Sequence, residues 1–465
     1  MFNKKAKYTA MILTAMFSAS VTLTGCGASG TTAEQTVETQ ETETVSEASE
    51  EVQNNETEQN TDDTGAAASE SQSADDTQGV EEGAETAAAE TTVTTVAANT
   101  DGVLDTTDLF SERDLTQTAD LSEAVTYTVS SNEDIHITEA GVYVIQGTAS
   151  EATVYVEAED TDKVQLVLNG VSITNTDTPC IYVVSADKVF VTTSSDSSLT
   201  VTGTFAEDEE NADAAIFSCE DLVLNGTAAL TIQSGDVGVD TKDDLKVTGG
   251  TYTITAGTKA FEANDSIRIA DGTFTLNAGT DGLHAENNDD DSLGYVYIAG
   301  GTFTITAGDD GIHGVSVVQI DGGAFTISAA EGIEGTYIQL NGGTFDISAS
   351  DDGINAASKS SSYAVTLELT GGDYTIVMGS GDTDALDSNG NLIISGGTLD
   401  ITATSAFDYD GTGTYTGGTL IVNGETVTSL TQSMMGGGMQ GGMGGMNRGM
   451  GGTGGMGSMQ PGGSM

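Results

Sequence analysis

From about Gly238 to Gly418 the sequence repeats itself every 21 or 22 residues, and few architectures tolerate that. One half of each unit reads glycine, small polar, aromatic or Leu, Thr or Asp, Ile, as in Gly250-Thr251-Tyr252-Thr253-Ile254, Gly301-Thr302-Phe303-Thr304-Ile305 and Gly343-Thr344-Phe345-Asp346-Ile347. The other half reads acid, small residue, apolar, polar, as in Asp281-Gly282-Leu283-His284, Asp310-Gly311-Ile312-His313 and Asp352-Gly353-Ile354-Asn355. The small residues fall at 238, 260, 282, 311, 332, 353, 385 and 406. A period of this size means a solenoid, a propeller or an array.

Apolar residues alternate within a unit. Phe303 and Ile305 take one side and Thr304 and Thr306 the other, which is the two-residue period of a strand. Threonine and β-branched or aromatic residues suit a pleated surface. Glycines such as Gly322-Gly323 mark the corners, where positive φ or a missing Cβ is needed. About three short strands and three corners per unit predict an all-β parallel β-helix. Its coils would stack at about 4.8 Å, and roughly a dozen of them would span about 60 Å. A propeller blade needs about 40 residues, twice the period. A β-sandwich is the other alternative.

The chain has 465 residues, with 72 acids, 12 bases and a net charge of −60. Such a charge excludes nucleic acid and anionic membrane surfaces as electrostatic partners and favours cations and neutral or cation-bridged ligands. Residues 1–25 read as a signal peptide: Lys4, Lys5 and Lys7 precede a short apolar run, and Leu23-Thr24-Gly25-Cys26 resembles the bacterial lipobox, with a lipid on Cys26. An ordinary secretory signal or an N-terminal membrane helix is the alternative. The expectation is a monomer on the outer face of the cell membrane, touching the membrane through its lipid alone. Residues 26–103 are rich in Glu, Thr, Ala and Ser and predict a disordered acidic spacer. Residues 104–430 are the folded domain, and 431–465 a Gly/Met-rich tail. Thioethers in that tail suit soft Cu(I), although their spacing has no order. Cys180 and Cys219 sit in apolar runs and read as buried free thiols, with an extracellular disulfide as the alternative.

The chemistry is expected where acids stack. Asp281, Asp310, Glu331, Asp352 and Asp384 precede the corner residue in consecutive units, and Asp309 and Asp351 add a second acid to two of them. The position after the apolar residue runs Asp240, Glu262, His284, His313, Glu334, Asn355, Asp387, Asp408. Carboxylates about 4.8 Å apart repel by roughly 1 kcal/mol in water and about 3.5 kcal/mol at an effective dielectric of 20. Lysine and arginine are not expected to neutralise them, since only Lys242, Lys246, Lys259, Arg268 and Lys359 lie in the repeat region, so a divalent cation is expected. Ca²⁺, with six to eight oxygen ligands, fits better than Mg²⁺ or Zn²⁺. The expected metal set is Asp281, Asp309, Asp310, Glu331, Glu334, Asp351, Asp352, Asn355, Asp384 and Asp387. The competing reading is a solvated acidic face. Insertions at Glu286–Gly294 and Ala357–Tyr363 interrupt the period and suggest a binding face. There the Asp289–Asp291 run reads equally well as ligands or as a solvated turn. His284, His313, Lys359, Tyr363 and Tyr409 are further ligand candidates, the tyrosines with Tyr415 as an aromatic platform for sugars.

Several phrases together are similar to one family. They are Phe110-Ser111-Glu112-Arg113-Asp114-Leu115, Asp187-Lys188-Val189-Phe190, Lys242-Asp243-Asp244-Leu245, Glu331-Gly332-Ile333-Glu334-Gly335, Asp351-Asp352-Gly353-Ile354-Asn355-Ala356 and Leu386-Asp387-Ser388-Asn389-Gly390. From about 105 to 428 the chain resembles the carbohydrate-binding-domain lipoproteins of Gram-positive anaerobes. The resemblance implies a right-handed, single-stranded parallel β-helix related in fold to pectate lyases, structural calcium, and affinity for polysaccharide, including acidic plant polymers such as polygalacturonate. Ala385 departs from the family's corner glycine. The expected function is a surface polysaccharide-binding module without catalysis. A calcium-dependent pectate lyase would need a base beside the metal, for which Lys359 is the candidate. A glycoside hydrolase needs paired acids across a cleft, and acids alone discriminate nothing here. The remaining alternative is a structural adhesin with no sugar ligand.

Overall fold

The computed structural model describes residues 102–431, Asp382 excepted. Cys26, the spacer up to residue 101 and the tail from residue 432 lie outside the described residues. Among the described residues there are 34 strands in one hydrogen-bonded network and no helix. Nearly all pairings are parallel, and over most of the domain each strand pairs with the strands three before and three after it. The predicted registry is therefore present: Phe274 lies over Phe303, Phe303 over Phe325 and Phe325 over Phe345.

Three ladders result. The first holds Thr251–Ala256, Thr273–Ala278, Thr302–Thr306, Ala324–Ala329 and Thr344–Ala349. These strands alternate exposed and buried residues because one face meets water and the other the core. Behind the exposed residues runs an aromatic stack, with Phe274, Phe303, Phe325, Phe345 and Tyr374 centred 4.5 to 4.8 Å apart and parallel within 7°. Such offset or stacked pairs stabilise beyond the area they bury. The second ladder carries the acid–glycine corners, and the third includes Asp244–Val247, Ser266–Ile269, Tyr295–Ile298 and Thr366–Leu369. In Asp310–Ile320 and Glu331–Leu340 one long strand serves the second and third ladders in turn, where separate short strands were expected; a register shift after Gly314 makes the bend.

Two kinds of corner glycine appear. Gly301 and Gly323 both have φ of +116°, so a side chain would be strained there. At Gly332 a Cβ would sit 2.3 Å from the Gly353 carbonyl oxygen, so close stacking of coils is what requires glycine. Ala385 fills the corresponding corner fully buried. The last strand, Glu425–Val427, folds back antiparallel on Thr419–Val422 through Asn423-Gly424, covering an edge that would otherwise invite pairing. Cys180 and Cys219 are free, and burial pushes both thiols up to about 12.

Residues 110–115 stand out in the sequence as a family phrase, but nothing there shows that residues 102 to 117 lie as a strap across the third ladder. Val103 and Leu104 donate backbone N–H groups to Oε1 of Gln339 and Gln319, both at 2.8 Å. Phe110 packs 6.3 Å from Tyr297, Arg113 sits 4.4 Å over the Phe190 ring, and Gln117 Nε2 reaches the Thr248 carbonyl at 3.0 Å. Asp114 is fully buried between Lys188 (3.6 Å) and Lys246 (3.5 Å) and accepts from the Ser111 amide at 2.9 Å. Burial alone would raise its pKa; the Ser111 hydrogen bond and the two lysines outweigh that and hold it below the usual carboxylate value.

Candidate functional site

The second ladder carries the expected polar column. Asp240 pairs with Glu262, Glu262 with His284, His284 with His313, His313 with Glu334, Glu334 with Asn355 and Asn355 with Asp387. The corner acids form a second column beside it. Asp310 lies over Glu331, the Asp310 amide donates to Asp281 Oδ1 at 3.1 Å, and the Asp384 amide donates to Asp352 Oδ1 at 3.0 Å. The solvated-face reading fails for most of the first column. Asp240 is 0% exposed, Glu334 5%, His284 7%, His313 8% and Asn355 9%. Buried charges need partners.

In the earlier coils protein bases supply them, contrary to the expectation that lysines could not. Lys242 Nζ is 2.5 Å from Asp240 and Lys259 Nζ 2.7 Å from Glu262. Each imidazole Nδ1 lies 3.0 Å from the acid three residues before it, Asp281 and Asp310, although His284 Nδ1 makes no hydrogen bond. His313 Nε2 then faces Glu334 Oε2 at 3.2 Å, and Lys359 Nζ takes Glu334 Oε1 at 2.8 Å. Burial opposes a charge on His313, but Asp310 and Glu334 outweigh it and raise its pKa. Asp310 is raised by burial first, and by Glu334 and Asp281. Lys359 is thus an ion-pair partner inside the column. Ligand atoms of Asp310, His313 and Glu334 lie within 4.8 Å of one another, as do those of Asp281, Asp309 and Asp310.

The later coils differ. Burial first, then Glu334, pushes Glu331 up to about 8, although Asn355 Nδ2 donates to its Oε2 at 3.0 Å. Burial and then the acids Asp351, Asp384 and Asp408 raise Asp352 to about 6, and burial with Asp352, Asp384 and Asp408 raises Asp387 to about 7. Among the described residues, Asp352 and Asp387 make no ion pair with a base. Asn355 Oδ1 is buried with no hydrogen-bond partner, as are Asp240 Oδ1, His284 Nδ1 and His313 Nε2 in the earlier coils. Oxygen donors with uncompensated charge, plus an orphaned amide oxygen, fit a hard divalent cation. Glu331, Asp352, Asn355, Asp384 and Asp387 are the donors available there, spread over successive coils, whereas the acid groups with ligand atoms within 4.8 Å of one another lie in earlier coils. The earlier coils, with imidazoles and ammonium groups among the acids, fit calcium less well. Asp309 and Asp351 are exposed beside their corners.

The other candidates scatter. Tyr363 packs with Tyr295, Tyr297 and Val317 near the strap, while Tyr409 and Tyr415 pack against the main core, so the three form no platform. The Asp289–Asp291 run is a turn whose Asp289 and Asp290 amides donate to Asn287 Oδ1 at 2.9 and 2.8 Å. The two insertions meet, since Ser360 Oγ donates to the Asp291 carbonyl at 2.5 Å. A third acid group, Asp221, Asp243 and Asp244, escaped the sequence reading as a site although Lys242-Asp243-Asp244 was conspicuous. Lys188 lies 3.5 Å from Asp221 and Arg268 2.8 Å from Asp244, which makes it a compensated structural network.

Comparison with known proteins gives three matches. Residues 131–385, more than half of the chain, match the model of a family described as carbohydrate-binding domain-containing protein. A carbohydrate-binding domain-containing protein of Acetivibrio thermocellus is 35% identical over 130 residues, 27% of this chain and 46% of the relative, so the chain spans about half the length of that curated relative. A solved structure described as the polysaccharide lyase-like protein from C. thermocellum, gadolinium derivative, is 30% identical, with a TM-score of 0.42 over 48% of this chain and 96% of that one.

Proposed function

The chain belongs to the carbohydrate-binding domain-containing protein family, and from that premise we propose that it holds polysaccharide at a cell surface on a calcium-braced, right-handed β-helix, tethered by a lipid on Cys26. The hand is the one that parallel crossover connections overwhelmingly adopt. The observation that carries the calcium reading is the late part of the column: Asp352 and Asp387 are raised by burial and mutual repulsion, and Asn355 Oδ1 has no partner. A divalent ion would relieve both. The same ion, with an open coordination position, can bridge to a uronate carboxylate, which is how so acidic a protein would hold an acidic plant polymer such as polygalacturonate.

The protein acts as a binder and not a lyase in this reading. A lyase base must reach the C5 proton of the sugar in its unprotonated form. The Lys359 ammonium is instead tied to Glu334 at 2.8 Å and has its pKa raised by that acid against the pull of burial. Two measurements test the proposal. Retention on cross-linked polygalacturonate is expected with calcium and is abolished by EDTA; equal retention with and without chelator removes the bridging role. No ultraviolet absorbance from unsaturated product is expected on polygalacturonate with calcium, and its appearance would make the protein a lyase.

A further inference from the structure

The first ladder presents an outer face unlike any other on the molecule. Thr251–Ala256 and Thr302–Thr306 display Thr-x-Thr-x-Thr outward, Thr273–Ala278 displays Thr-x-Thr-x-Asn and Ala324–Ala329 Ala-x-Thr-x-Ser. Every one of these outward residues is exposed, and paired registers set them in three columns. None is charged, in a chain of net charge −60. Among the described residues the hydroxyls of Thr253, Thr275 and Thr304 have no hydrogen-bond partner. Acids return to the columns only at Asp346, Asp373 and Asp400.

The face is also backed by an ordered stack. Here the rings directly beneath it, Phe274, Phe303, Phe325 and Phe345, stay parallel within 7° over successive coils. In-register pairing repeats the hydroxyl and methyl groups about every 4.8 Å up the stack and about every 6.6 Å along each strand.

We propose that this face is a second polysaccharide surface, taking an ordered, uncharged, extended polysaccharide laid flat on the threonine columns. Each hydroxyl both donates and accepts, as sugar hydroxyls do, while its methyl group meets the apolar C–H face of a sugar ring. Single contacts of this kind are weak, so a ligand is retained only if it repeats and engages many at once. A polyanion finds no base here to receive its carboxylates. The surface takes its ligand class from the polysaccharide reading above, but its site and its independence of calcium are separate from it.

The test is pull-down on microcrystalline cellulose, insoluble β-1,3-glucan and chitin, all in EDTA. The full folded chain should be retained on at least one. Thr304→Lys and Thr275→Lys, at exposed positions, should each lower that retention at least ten-fold with an unchanged melting temperature, whereas Glu159→Lys, exposed and outside this ladder, should leave it unchanged. Thr326→Lys serves as a second probe if either lysine variant melts early. Retention on none of the three polymers, or retention indifferent to all three lysines, overturns the proposal. So does a wild-type dimer that the lysines convert to monomer, since the face would then belong to a second copy of this chain. Loss of calcium-dependent binding to polygalacturonate with neutral-polymer retention intact would sink the reading of the acid column and leave this one standing.

Discussion

The two halves of the acid column answer the same electrostatic problem differently. From Asp240 to Glu334 each buried acid has a base or an imidazole within about hydrogen-bonding reach: Lys242, Lys259, His284, His313, Lys359. Among the described residues Asp352 and Asp387 pair with no base, and their carboxyl groups are pushed upward by burial and by neighbouring acids. The first half has partners, yet burial still pushes Asp240 up to about 7 and raises Asp310, so the bases offset only part of the cost. The second is left dependent on something from solvent. Asp114, fully buried between two lysines, is the extreme of the first kind.

Four experiments would sharpen or break this contrast. Asp114→Ala strands Lys188 and Lys246 against a protein wall and should cost about 3–5 kcal/mol in a denaturant melt; a loss below about 1 kcal/mol would mean that the strap, not the charge triad, does the holding. Calcium should raise stability through the later coils, by about 2.7 kcal/mol at one hundred times its dissociation constant, and Asp352→Asn with Asp387→Asn should remove most of that increment. Lys359→Ala leaves Glu334 facing Asp310 and Glu331. Because the lysine is 39% exposed, solvent screening limits the expected loss to about 1 kcal/mol, insensitive to chelator.

The smallest effect is the pH dependence without divalent ions. Asp352 and Asp387 bind protons more tightly folded than unfolded, since their folded values of about 6 and about 7 lie above the ordinary aspartate value. Their unfavourable contribution is absent below about pH 4. It grows as pH rises through 6 and 7, so melting temperature should fall over that window in EDTA. Calcium should flatten the fall, and Asp387→Asn should reduce it. A rising melting temperature over the same window would contradict the assignment.

What was legible from the chain was everything that repeats. Glu262, His284, His313, Glu334 and Asn355 could be placed in one file because equal spacing in sequence becomes equal position in the stack. The strap was not legible, because the contact of Val103 with Gln339 spans 236 residues and no periodicity links them. Nor was the pairing of bases with acids. Lys359 sits in an insertion outside the period, and only the fold shows that the insertion returns over Glu334. The tyrosines misled for a related reason: Tyr363, Tyr409 and Tyr415 occupy different surroundings, which residue type alone does not reveal.

The strap has a mechanical consequence. Because residues 102–117 run back over coils far along the chain, a pull on the backbone ahead of Gly102 does not load the first strand, Val125–Thr128. It reaches the stack at Gln319 and Gln339, more than two hundred residues downstream, and is shared among lateral side-chain bonds before it can peel a coil. Tension from that side enters the middle of the stack, where hydrogen-bonded neighbours lie on both sides, and spares its frayable end.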